Sequence, residues 1–454
     1  MFQFIASSRA SNSFAAWFLL VLSFPFIAGS FAIFIVSERE SKAKHLQTVA
    51  GVQPKAYWLS TYCWDIMNYQ IPLWTVIILM YILDVQSFIT NERQAASGTF
   101  ALLILFGPAA AGFTYIVCFS FKSPSMANLF VIVFNFFIGM AGPLICLILR
   151  LLAADAANPK PNLKTAAQTI EWILRTIPSF CLGKGLLFII NIDFFEFVEA
   201  EPLTVWSPTI ALYEVIFLGI ESFLYILITI QIDILSTKPK SVMLLKKLTD
   251  CLTFKWLFRD QKQHTDEITQ AITDEDVIAE NERVQQGQAD DDLIVLNELS
   301  KVYPRNGKRA VDHMSLGIPP GECFGLLGIN GAGKTTCMAM LTAEFPPSSG
   351  DALLSGFSVS NDPEQTRRQI GYCPQFDAHF ANMTGWEHIE LYAVIKGVPR
   401  DVLKEVVAAK LNEVGLSELD GKRLSSGYSG GMKRKLSVAC ATIGAPRIVF
   451  LDEP

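Results

Sequence analysis

The chain has 454 residues, a formal net charge of −6 and 51% hydrophobic residues, which excludes a disordered chain, a disulfide miniprotein and a single water-soluble globule. The negative charge leaves no basic field for sequence-independent nucleic-acid binding, so nucleic acid is not an expected partner. Residues 1–235 hold 26 of the 80 Asp, Glu, Lys and Arg side chains and residues 236–454 the other 54, which assigns the first part to lipid and only the second to water.

A bilayer core takes about 20 apolar residues per helix, and five stretches meet that length, at about 13–36, 57–83, 98–121, 125–149 and 208–235. The first is uncharged and ends in Ser37-Glu38-Arg39-Glu40 without a small-residue cleavage site, so it reads as a spanning helix and not a signal peptide. Arg39, Lys42, Lys44 and Lys55 follow span one, and Lys238, Lys240, Lys246, Lys247, Lys255 and Arg259 follow span five. Basic loops stay on the cytoplasmic side, which gives a multi-pass integral membrane protein with its N-terminus outside and its C-terminus inside. An odd number of spans with an outside start leads us to expect further sequence upstream.

The outer loop 150–207 holds an amphipathic stretch at 165–176 and a nearly apolar one at 177–190, too short to cross. Residues 165–190 form either a re-entrant helix pair in the outer leaflet or ordinary extracellular helices packed on the spans. Asp65, Glu214 and Glu221 lie within the apolar segments, where carboxylates are costly, and are candidates for a role in transport. Asp65 and Glu214 are near enough to span ends to reach the headgroups instead.

Residues 236–292 turn from basic to acidic and Gln-rich, including Asp274-Glu275-Asp276, and read as a charged cytoplasmic linker whose basic part touches anionic lipid. From Leu293 onward, short apolar runs at 293–296 and 323–327 alternate with helical stretches, the pattern of an α/β domain over 293–454. Nine cysteines and five histidines stand without C-x-x-C or metal-ligand spacing, so no metal is expected other than magnesium held with a nucleotide.

The run 323–327 leads into Gly328-Ile329-Asn330-Gly331-Ala332-Gly333-Lys334-Thr335 and then a helical stretch, the setting of a phosphate-binding P-loop. Glycines at 328, 331 and 333 let successive N–H groups converge on phosphates, the helix N-terminus adds its positive end, Lys334 reaches the β and γ oxygens, and Thr335 holds magnesium. Ile448-Val449-Phe450-Leu451 is a buried strand that delivers Asp452 and Glu453 at its end. Asp452 orients magnesium, and Glu453 polarises the attacking water as general base. Ser429-Gly430-Gly431, ahead of Lys433, Arg434 and Lys435, is a second helix N-terminus suited to an anion, or a common turn. Gln375 either bridges magnesium to the membrane part or is a polar turn residue, and Tyr303 either stacks on adenine or packs in the core.

Tyr303, residues 328–336 with Thr336 closing the loop, Gln375, Ser429-Gly430-Gly431 and Asp452-Glu453 stand in the order of the A-loop, Walker A, Q-loop, signature and Walker B of ATP-binding cassette (ABC) transporters. Over nearly its whole length the chain resembles the second half of subfamily A, the lipid-exporter group. Ser41-Lys42-Ala43-Lys44-His45-Leu46-Gln47 with Gly51-Val52 resembles its coupling region, and Phe180-Cys181-Leu182-Gly183-Lys184-Gly185 its outer helical hairpin. Met432 and Tyr428 depart from the general signature, and the sequence stops at Pro454, ahead of the family's D-loop and switch histidine, so a piece truncated after Walker B is expected.

The resemblance implies an α-helical polytopic membrane domain over 1–235 plus an α/β P-loop NTPase nucleotide-binding domain, incomplete at its C-terminus. It implies ATP and Mg2+ as ligands, with Tyr303, Gly328, Asn330, Gly331, Gly333, Lys334, Thr335, Thr336 and Ser429-Gly430-Gly431 on the nucleotide. Thr335, Gln375 and Asp452 attend the metal, and Glu453, Lys334 and Gln375 catalyse hydrolysis. It further implies a second transmembrane half and a second nucleotide-binding domain as partners, with membrane lipid as cargo. An ATP-gated channel or regulator that transports nothing, or an inactive fragment, would share these motifs.

Overall fold

The computed structural model describes residues 2–154, 161–236, 274–303 and 307–453. The basic cluster from Lys238 to Arg259 and Pro454 lie outside these described residues. The chain forms two compact units, Met1–Glu40 with Lys55–Gln231 and Ser41–Pro54 with Ile232–Pro454.

In the first unit Ser13–Glu40, Pro54–Ile82, Glu92–Cys118, Pro124–Ala153 and Leu212–Leu235 are helices long and apolar enough to cross a membrane. Pro124 and Pro178 each open a helix after an extended residue, where proline's fixed φ suits the first turn and its missing N–H is not needed. Helices Pro161–Leu174 and Pro178–Ile190 cover the expected outer pair. The second is buried along its length from Pro178 to Ile189, as a helix apolar on all sides must be. Its backbone meets that of Pro124–Ala153 directly: a Cβ on Gly183 would fall 2.0 Å from the Gly139 carbonyl oxygen, so only glycine permits this crossing. Trp17, fully buried, donates its indole N–H to the same Gly183 carbonyl at 2.9 Å.

The second unit carries an antiparallel sheet in the order β2-β1-β3-β4, from β1 (Ile294–Val302), β2 (Arg309–Ile318), β3 (Ser349–Leu354) and β4 (Phe357–Ser358). A parallel pair, β5 (Ile370–Cys373) and β6 (Ile448–Leu451), places Tyr372 opposite Phe450. Leu296, Met340, Leu354, Ile370, Ile389 and Leu436 lie in one core between these sheets and the helices. Into this core goes the helix Ala43–Ala50, which separates the first two spans in sequence and seats Ala43, Leu46, Val49 and Ala50 there.

Three sequence expectations need revision. The run 323–327 is not a strand: it has no regular secondary structure and Leu327 is 91% exposed, because among the described residues no strand pairs with it. Strand 448–451 is not wholly buried; Ile448 and Phe450 face the core while Val449 and Leu451 face outward, the alternation expected of a strand covered on one face. The acidic stretch read as linker contains the helix Glu275–Gln285, capped by Asp274 and joined to β2 by the Gly317 N–H, which donates to Glu280.

Candidate nucleotide-binding site

The loop 328–333 leads into the helix Lys334–Leu341, with Gly333 as its N-cap at φ +95°. A Cβ there would lie 2.2 Å from the Ala310 carbonyl oxygen, so glycine is required both for the left-handed backbone and for the approach to β2. The Lys334 ammonium folds over the loop and donates to the carbonyls of Gly328 and Ile329. Thr336 Oγ1 lies 3.2 Å from the Tyr303 hydroxyl, which sets that half-exposed ring beside the first turn of the helix, edge-on to Phe345. Thr335, Asn330, Gly328 and Gly331 are exposed around the same loop.

The parallel pairing of β5 with β6 brings the second cluster together. Asp452 donates its N–H to the Cys373 carbonyl at 2.9 Å, and one residue on, Gln375 Nε2 donates to Glu453 Oε2 at 2.7 Å. Burial, and then the neighbouring Glu453 carboxylate, raise the Asp452 pKa above the ordinary range, opposed by the charges of Lys42, Arg434 and Lys334. Lys334 is thus among the charges felt by Asp452.

The residues fit a magnesium–nucleotide complex. Thr335 and Asp452 offer hard oxygens, the Gln375 amide keeps its oxygen after its N–H has gone to Glu453, and Mg2+ takes such a donor set together with phosphate oxygens. Gly331 and Gly333 both stand at positive φ, a backbone shape in which successive N–H groups can make an anion-binding concavity.

Ser429-Gly430-Gly431 stands apart. Ser429 caps the helix Gly430–Thr442 by accepting the Met432 N–H, and the space around both glycines is open. Among the described residues none of their hydrogen bonds reaches the loop 328–336. The cap uses the backbone of residue 432, so the methionine side chain does not disturb it. Tyr428 is buried and donates its hydroxyl to the Asp420 carbonyl, a packing role for the second departure.

Sequence reasoning missed three groups of residues. Arg434 donates to the backbone carbonyls at the ends of β5 and β6; its neighbours Lys433 and Lys435 give it no distinguishing pattern. Glu344 pairs with Lys42 at 3.0 Å, and His45 Nε2 lies 3.3 Å from Thr342 Oγ1, contacts that long sequence separation conceals. In the first unit Glu214 is fully buried and accepts from Arg175 and Lys184, each at 2.8 Å. Glu171 accepts two bonds from Arg150 at 2.8 Å and lies 3.4 Å from Arg175 and 3.9 Å from Lys184. Asp65 is likewise turned inward and accepts from the buried Tyr115 hydroxyl at 2.6 Å. Both acids near span ends are thus paired with protein donors. Glu221 keeps one oxygen near the Tyr225 hydroxyl, and the other is buried without a hydrogen-bond partner.

Two buried imidazoles give the second unit a pH dependence. Burial lowers His45 and His388 each to about 4; His388 Nε2 accepts the Phe380 N–H at 2.9 Å and Nδ1 faces the Thr384 carbonyl at 2.7 Å, an arrangement that requires the neutral ring. The unfolded chain takes up these protons below about pH 6.5 and the folded one does not. The stabilisation is therefore full above that pH and falls away toward pH 4, by up to about 3 kcal/mol per ring. Denaturant unfolding between pH 7 and 4.5 should show His45→Gln with a shallower loss than the parent; parallel slopes would refute it.

Two family models match the chain. That of ABC transporters matches residues 311–454 and that of ABC-2 family transporter proteins residues 4–230, half the chain. The chain belongs to the ABC transporter family, with a helical membrane part of the ABC-2 kind followed by an ATP-binding cassette. Its relatives are members of sub-family A, as the motifs implied. It is 35% identical over 445 residues to ATP-binding cassette sub-family A member 7 of Rattus norvegicus, covering 96% of this chain and 19% of that protein. It is 35% identical over 442 residues to retinal-specific phospholipid-transporting ATPase ABCA4 of Bos taurus, covering 96% and 18%. The chain thus spans less than a fifth of the length of these curated relatives.

Proposed function

We propose that the chain is part of an ATP-driven lipid exporter or flippase, in which ATP binding and hydrolysis at the cassette rearrange the spanning helices. The domain reading is a membrane part over 1–235, a cytoplasmic connection over 236–292 and an ATP-binding domain over 293–454 on the cytoplasmic side. The observation that carries the proposal is the Gln375–Glu453 hydrogen bond at the ends of two paired strands. The names of relatives such as the bovine phospholipid-transporting ATPase support lipid as cargo.

Bound Mg-ATP would supply the phosphoanhydride bond and the charge that the site is built to hold. The N–H groups of 328–335 would hold its phosphates, Lys334, now on the Gly328 and Ile329 carbonyls, would turn to phosphate oxygen, and Tyr303 would meet the base. Thr335, Asp452 and the Gln375 amide oxygen would hold the metal. Glu453, held through Oε2 by Gln375, keeps Oε1 to take a proton from incoming water. Ser429-Gly430-Gly431, with open space around both glycines, serves a second cassette's nucleotide, so a second nucleotide-binding domain and a second transmembrane half complete the transporter. The helix Ala43–Ala50 rests on β5, His45 against Tyr372, three residues before Gln375. Movement at Gln375 is thereby transmitted to the segment joining the first two spans.

Reconstitution of the chain with the complementary half in vesicles containing fluorescent phosphatidylcholine tests this. ATP should redistribute the label, and Lys334→Ala should abolish both redistribution and phosphate release. An unchanged label distribution accompanied by an ATP-dependent ion current would replace the exporter with a channel.

A further inference from the structure

Arg434 lies in the second turn of the helix that Ser429 caps. Its guanidinium meets no carboxylate among the described residues and turns instead to four backbone carbonyls. Nη1 donates to Pro374 and, at 3.3 Å, to Gln375; Nη2 donates to Asp452 at 2.6 Å and to Glu453. One nitrogen therefore serves the chain leaving β5 and the other the chain leaving β6, a division that a planar fork can make and an ammonium cannot.

The segment it holds is strained. Glu453 has φ +48°, a left-handed conformation that costs a non-glycine residue about 1 kcal/mol or more and persists only where surrounding contacts enforce it. Two bonds supply that enforcement: Nη2 of Arg434 on the Glu453 carbonyl, and Gln375 on its carboxylate. The peptide bearing Gln375 is itself fixed by Nη1. Both functional side chains thus hang from backbone that Arg434 joins.

We infer that Arg434 is a positioning residue: it sets Gln375 and Glu453 in register for proton transfer and ties that register to the attitude of the helix that starts at Ser429-Gly430-Gly431. An anion drawn to that helix start then alters the geometry of the Glu453 carboxylate at the opposite end of the same guanidinium. The inference rests on the hydrolytic reading proposed above.

The test compares the parent with Arg434→Gln and Arg434→Lys in the reconstituted transporter, measuring Mg-dependent binding of a ring-fluorescent ATP analogue and steady-state phosphate release. Binding should stay within about twofold while kcat falls about 10- to 100-fold for the glutamine variant, the loss typical of a reacting group displaced by about 1 Å. Lysine, which keeps charge without the fork, should recover only part of kcat; if the glutamine variant does not fold, the lysine variant carries the comparison. In a Glu453→Gln background the added Arg434→Gln should cost less than about twofold, since residues acting through one group are not additive. Hydrolysis within twofold of the parent, a loss that multiplies with that of Glu453→Gln, or weakened binding at unchanged kcat would each overturn the inference. A parent that neither binds nor hydrolyses ATP would instead refute the hydrolytic reading, before any variant is compared.

Discussion

Glu453→Gln is expected to bind ATP as tightly as the parent and to hydrolyse it about 10²- to 10³-fold more slowly. The amide has the size of the carboxylate and keeps an oxygen to accept the Gln375 N–H, so the contact between the strand ends survives. What it loses is the ability to take a proton, and a positioned general base contributes roughly 10²- to 10⁴-fold. Single-turnover phosphate release beside equilibrium nucleotide binding separates the two quantities. Hydrolysis within fivefold of the parent would move the base elsewhere and leave Glu453 a structural partner of Gln375.

The second large effect lies in the buried ion cluster of the first unit. Arg150, Arg175 and Lys184 share two carboxylates, Glu171 and Glu214, all less than 10% exposed. Removing one partner of such a cluster leaves uncompensated charge and costs about 3–5 kcal/mol, so Glu171→Gln, which leaves three cations facing one carboxylate, should destabilise by that amount. Lys184→Met should cost distinctly less, because it leaves two cations on two carboxylates and replaces a buried stem with one of similar volume. Unfolding in detergent, followed by the signal of buried Trp17, which donates to the neighbouring Gly183 carbonyl, would rank the two. The reverse order would show that Lys184, not Glu171, holds the cluster together.

The spanning helices were legible in sequence because length and apolarity suffice to define them, and the P-loop because its glycines are needed for backbone shape. Both signals are local. Leu293 to Leu296 was legible as strand for the same reason, whereas 323–327 shows the limit: an apolar run becomes a strand only when another strand pairs with it. The Gln375–Glu453 contact could be proposed only from the order of motifs, since 78 residues separate the pair. Arg434 left no such trace, because its partners are carbonyl oxygens that every residue possesses. The ion cluster escaped for a related reason: Glu171 and Arg175 stand one helical turn apart, but Arg150, Lys184 and Glu214 are gathered by folding alone. The partners of Asp65 and Glu214 likewise come from other segments of the chain, which the sequence around each acid does not show.

The four apolar residues of Ala43–Ala50 fill part of the cassette's interior although they are encoded ahead of most of the membrane segments. A recombinant piece beginning at Leu293 would consequently lack a plug for its own hydrophobic socket. Its solubility would report that vacancy as much as any property of the catalytic machinery.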